Sequence, residues 1–83
     1  MTELLTAPTR VDRDDDGRPR AVLLDGRMHA VESVLTRWRV ETDWWRTAPV
    51  RRDYWRCLVA GGECIELCLD LAAGAWEITR RYD

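Results

Sequence analysis

Lysine is absent from this 83-residue chain, and histidine and serine occur once each, as His29 and Ser33. These shortages narrow the chemistry open to it. No side-chain amine is present to form a Schiff base, and Ser33 has no base motif beside it. His29 with Asp25 or Glu32 has the makings of a dyad, but nothing positions a nucleophile next to it. The chain is therefore expected to be non-catalytic. A run of about 18 apolar residues is also missing, so no membrane contact by a spanning helix is expected. Residues 1–8 lack both the basic start and the long apolar segment of a secretory signal, which points to a cytoplasmic location.

Cysteine is scarce and odd in number. Cys57, Cys64 and Cys68 without a secretory context imply reduced thiols. Together with His29 they make a permissible zinc-ligand count. A four-residue step along a strand nevertheless separates Cys64 from Cys68 by about 13 Å, too far for one tetrahedral ion. Half-buried structural thiols are the better expectation. The run Asp12-Arg13-Asp14-Asp15-Asp16-Gly17 begins like a calcium loop, with acids alternating and glycine sixth. Its ninth and twelfth positions are Arg20 and Leu23, where oxygen ligands are required. No cofactor or metal is expected.

The charge that is present is nearly balanced, with 13 basic residues, all arginine, against 15 acids for a net −2. No global field draws such a chain to DNA or to a membrane surface. Arginine does bring one property lysine lacks: its planar group stacks on rings and binds carboxylate or phosphate through two parallel hydrogen bonds.

The organisation reads as two parts: a flexible acidic tail over residues 1–19 and a single β domain over 20–83. Pro8 and the polar run ending in Gly17 and Pro19 oppose regular structure in the first part. Beyond it, apolar residues alternate with period two, the pattern of half-buried strands. Five strands are expected, over residues 20–24, 28–40, 53–60, 63–71 and 75–82. Asp25-Gly26, Gly61-Gly62 and Ala73-Gly74 supply tight turns between them. In the long second strand, strict alternation groups Met28, Ala30, Val34, Trp38 and Val40, against His29, Val31, Leu35, Arg37 and Arg39. The last strand aligns Trp76, Ile78 and Tyr82 against Glu77, Thr79 and Arg81. Residues 28–38 also fit a helical period, but their β-branched and aromatic content favours a strand. The expected fold is an all-β, five-stranded antiparallel meander, curled into a partly open barrel because a flat sheet would leave one apolar face wet.

Four of the five tryptophans fall between Trp38 and Trp55, threaded among Arg37, Arg39, Arg46, Arg51, Arg52 and Arg56. Only Glu41, Asp43 and Asp53 oppose those six arginines. Residues 42–49 break the alternation and are expected to form a loop displaying Trp44 and Trp45. About 64 folding residues rarely give a core worth more than ~3–5 kcal/mol, so a partner, an oligomer or dense aromatic packing is expected. Three readings of the Trp/Arg region stay open. Exposed indoles with flanking arginines anchor protein interfaces, and they also stack on the bases of single-stranded DNA. Alternatively, one indole caps the barrel's open end while arginines pair with acids across strands. The candidate partner-binding residues are Trp44, Trp45, Arg46, Arg37, Arg39, Arg51, Arg52 and Arg56.

The segments Arg37-Trp38-Arg39, Asp43-Trp44-Trp45-Arg46, Arg52-Asp53-Tyr54-Trp55-Arg56, Gly74-Ala75-Trp76-Glu77-Ile78 and Tyr82-Asp83 carry a resemblance. Together they resemble a small bacterial domain family of unknown function encoded beside the ImuA-like/ImuB mutagenesis cassette. They are also similar to the C-terminal segment of ImuB, a catalytically dead relative of Y-family polymerases. The resemblance covers residues 20–83. It implies an accessory role in translesion DNA synthesis, through contact with a polymerase-like or recombinase-like subunit. Trp44, Trp45 and Arg46 are its signature rather than a known site.

Overall fold

A computed structural model describes residues 3–42 and 50–82. Every regular element among them is a strand: β1 (Glu3–Thr9), β2 (Val11–Arg13), β3 (Pro19–Leu24), β4 (Arg27–Glu41), β5 (Arg51–Val59), β6 (Cys64–Asp70) and β7 (Ala75–Tyr82). They form one antiparallel sheet in the order β1-β7-β6-β5-β4-β3-β2. The all-β, antiparallel expectation holds, and residues 28–38 lie in a strand, not a helix. Among the described residues no helix is long and apolar enough to cross a membrane.

The strand count corrects the expectation of five. The two further strands lie within residues 1–19, read from sequence as a tail. β1 pairs with β7, and β2 pairs with β3. Pro8 did not preclude this, because β1 is a sheet edge, where a missing N–H leaves no ladder bond broken. The three residues of β2 are too few to show a period.

β1 and β2 are separated only by Arg10 in the chain, yet they occupy opposite edges of the sheet. The sheet must therefore curl to bring those edges together. Thr9 Oγ1 donates to the Leu23 carbonyl at 2.6 Å, and the Leu23 N–H donates to the Arg10 carbonyl at 2.8 Å, tying the seam. The interior of the curl holds Val22, Leu24, Trp55, Cys57, Val59, Ile65, Leu67, Leu69, Trp76 and Ile78, all buried. Asp25 and Gly26 both adopt positive φ, 51° and 79°, the mirror-image turn whose twist matches a hairpin.

Strict alternation fails in β4 and β7. β4 pairs with β3 only through residues 27–30 and with β5 through residues 31–41. Register shifts between Val31 and Ser33, and between Val34 and Thr36, insert Glu32 and Leu35 as extra residues. Each extra residue reverses the side on which the following residues fall. Val31, Val34, Arg37 and Arg39 therefore share the inner face, opposite Val59, Cys57, Trp55 and Asp53. Trp38 and Val40 fall on the outer face. A similar shift at β6–β7 passes over Thr79, which places Arg81 opposite Ile65 and Tyr82 opposite Cys64. Tyr82 is thus not aligned with Trp76 and Ile78.

Candidate interaction surface on strands β4 and β5

β5 carries the candidate residues on two faces. Asp53, Trp55, Cys57 and Val59 alternate as fully buried inner positions, while Arg52, Tyr54, Arg56 and Leu58 are half-buried outer ones. An acid in an apolar row needs a partner, and β4 supplies it. Arg39 Nε donates to Asp53 Oδ1 at 2.6 Å and Arg39 Nη2 donates to Oδ2 at 3.1 Å. Arg37 Nη2 reaches the same carboxylate at 3.5 Å. The hydrogen bonds from Arg39 hold the Asp53 carboxyl below the usual carboxylate range, against the upward push of burial. The same bonds raise the guanidinium of Arg39. Arg37 also lies 5.1 Å from the centre of the Trp55 ring, and Trp55 packs on Trp76 at 5.0 Å. The Arg13 guanidinium, on β2, lies over the Trp76 ring at 5.6 Å from its centre. Two indoles are thus capped by guanidinium groups where the interior meets solvent. Glu41 lies 3.9 Å from Arg39 and 4.0 Å from Arg51, too loosely to fix either.

On the outer face, Trp38 and Tyr54 stack at 5.3 Å with planes only 5° apart. The Arg56 guanidinium lies 5.9 Å from the Trp38 ring and 5.0 Å from the Tyr82 ring, so it joins them. Arg56 Nε is enclosed and has no hydrogen-bond partner among the described residues. Beside this row Glu66, 6% exposed, accepts from Thr79 Oγ1 at 2.6 Å and from the Tyr82 hydroxyl at 3.4 Å. Burial pushes the Tyr54 phenol up, an effect opposed by neighbouring Arg52. Burial likewise raises the thiol of Cys68, which pairs with Tyr54 across the strands.

The structure therefore divides the sequence-predicted cluster. Arg37, Arg39 and Arg51 lie toward the inner face, Arg52 and Arg56 on the outer face. Trp44, Trp45 and Arg46 fall outside the described residues. The sequence reading missed Tyr54, Glu66 and Tyr82. It also missed the buried state of Asp53, though the signal was present: Asp53 continues the row of Trp55, Cys57 and Val59.

The cysteines are divided as well. Cys57 is on the inner face, where burial pushes its thiol up to about 12, and Cys64 and Cys68 are on the outer face. No cluster with metal-ligand composition occurs among the described residues. The acidic run closes the β2–β3 hairpin instead: Asp14 Oδ1 accepts the N–H groups of Asp16 and Arg18, both at 2.9 Å. A hollow lined by Arg52, Cys68, Asp70, Ala75 and Glu77 has about 170 Å³ of space, open solvent included. Small-molecule pockets are usually larger, roughly 300–1,000 Å³.

A curled antiparallel sheet with a locked aromatic and guanidinium surface defines a small all-β domain. The chain belongs to a family described as a domain of unknown function (DUF6504), whose pattern matches residues 2–83. No curated protein and no solved structure matches it.

Proposed function

We propose that this chain is a non-catalytic protein-interaction module, an accessory of a translesion DNA synthesis assembly. The carrying observation is the outer-face row of Trp38, Tyr54, Arg56 and Tyr82, whose rings and guanidinium are ordered by one another. Large side chains already held in place lose little freedom when a partner covers them, which favours affinity. Aromatic residues and arginine are also the types enriched at protein contacts. Trp44, Trp45 and Arg46 follow β4 closely in the chain and extend the same composition. The link to mutagenesis rests on the resemblance of these segments to the family beside the ImuA-like/ImuB cassette.

Single-stranded DNA is the second reading, favoured by the parallel Trp38 and Tyr54 rings, since stacked aromatics accept bases. Charge speaks against it. Arg37 and Arg39 share Asp53, and Glu66, Asp70 and Glu77 lie on the strands beside Arg52 and Arg56. The test is a pull-down from DNA-damaged cells with the natural chain, Trp38→Ala and the pair Trp44→Ala/Trp45→Ala. A polymerase-like or recombinase-like subunit should be lost with the variants. An unchanged set of bound proteins with folded variants overturns the reading. Steeply salt-dependent binding of a single-stranded oligonucleotide would favour the second reading instead.

A further inference from the structure

We propose that β4 is also a self-association edge, on which a second copy of this chain adds its own β4 antiparallel to the first. This inference does not depend on the preceding reading. Among the described residues, β4 has no neighbour beyond residue 30 on the side away from β5. The bulges at Glu32 and Leu35 interrupt its first half, the usual way of blunting an edge. Residues 36–41 run in unbroken register with β5.

The direction of the backbone groups follows from two bonds. The Thr42 N–H donates to the Val50 carbonyl at 2.8 Å, so residue 42 faces β5. The Arg51 carbonyl accepts from the Leu71 N–H at 2.9 Å, so Arg51 faces β6 and its partner Glu41 is not bonded to it. Antiparallel ladders alternate, so the amide and carbonyl groups of Arg37, Arg39 and Glu41 point to the open edge. Three such residues at every second position form a template for one more strand.

The side chains of residues 36–42, Thr-Arg-Trp-Arg-Val-Glu-Thr, complement themselves about Arg39. Antiparallel pairing centred there sets Arg37 opposite Glu41 of the second copy, twice by symmetry. It sets Trp38 opposite Val40, covering an apolar side chain that is 39% exposed, and Thr36 opposite Thr42. The one like-charge pair, Arg39 against Arg39, is relieved because each guanidinium is already held by its own Asp53. Shifting the register by two residues one way sets Arg37 against Arg39. The other way sets Glu41 against Arg39, whose guanidinium is already engaged by its own Asp53, and leaves Trp38 opposite Thr42 instead of Val40. The interface is short, so association should be concentration-dependent rather than permanent.

Sedimentation of the whole chain over a wide concentration range tests this. A monomer–dimer equilibrium is expected, and Glu41→Arg should weaken it about tenfold or more by turning two attractive cross-strand pairs repulsive. Arg37→Glu should weaken it similarly. Mixing the two variants should restore a dimer, because both cross-strand pairs then bring opposite charges together again. Hydrogen exchange on the unaltered chain gives an independent reading even if Arg37→Glu does not fold. The amides of Arg37, Arg39 and Glu41 should become protected as concentration rises. A monomer at all concentrations, a dimer indifferent to Glu41→Arg, or exchange at these amides independent of concentration would overturn the proposal.

Discussion

Arg39 grips the carboxylate of Asp53 through both of its oxygens, at 2.6 and 3.1 Å, and does so at a position where Asp53 is only 3% exposed. The pair seals the sheet where an apolar row would otherwise end in an uncompensated charge. Replacing Asp53 with Asn removes the charge and keeps the shape. Hydrogen bonds to charged groups contribute about 1.5–3 kcal/mol, and a loss near the lower end is expected because Arg39 is half exposed to solvent. Urea titration at neutral pH measures it as a lower midpoint with an unchanged slope.

The same pair has a defined pH signature. The folded-state value for Asp53 is depressed, so its contribution is complete above the unfolded value of about 4 and disappears as pH falls through the folded value. The stability gap between the natural chain and Asp53→Asn should therefore be full at pH 7 and shrink in strong acid. Denaturant midpoints across that range check the sign; a gap that widens in acid contradicts it.

Arg81 joins three elements. Its guanidinium donates to both oxygens of Asp25 at 3.1 Å and to Glu63 at 2.7 and 2.9 Å, linking β7 to the β3–β4 turn and to the start of β6. Arg81→Ala should lower the melting temperature. Arg81→Lys should recover less than half of that loss, because one ammonium cannot match two forked pairs. Circular dichroism melts of the three proteins make the comparison.

Trp55, 1% exposed and packed on Trp76, is the largest fully buried side chain among the described residues. Truncation to Ala costs about 3–5 kcal/mol, comparable to the whole stability of so small a domain, so Trp55→Ala should not fold. Among the described residues Trp55 Nε1 has no hydrogen-bond partner, so Trp55→Phe forfeits no bond to them and should remain folded. Far-ultraviolet dichroism separates the two outcomes.

Cys57 is wholly buried with its thiol pushed up to about 12, whereas Cys64 is partly accessible. Brief alkylation near pH 8 should modify Cys64 and spare Cys57 until denaturant is added. Peptide mass mapping reads the result directly.

Much of the architecture was legible in the chain. The Asp25-Gly26 turn, the inner row Trp55-Cys57-Val59 and the row Ile65-Leu67-Leu69 follow from turn chemistry and a period of two. The bulges at Glu32 and Leu35 were not legible, because no residue there is a glycine or otherwise marks an extra position. Reading β4 as unbroken put Val31 and Arg37 on the face opposite Val34, when all three share one face. β1 and β2 escaped notice for a different reason: their place depends on the edges left by strands far along the chain.

Local composition therefore settled the kind of element and the turns, since backbone preferences and alternation act over a few residues. The Trp/Arg content of the central region was equally plain. Which arginine caps Trp55, which joins Trp38 to Tyr82, and which carboxylate is buried were decided only when the strands came into register. A single inserted residue moves every later side chain to the other face, and the position of such an insertion is fixed by the neighbouring strand, not by the strand that contains it.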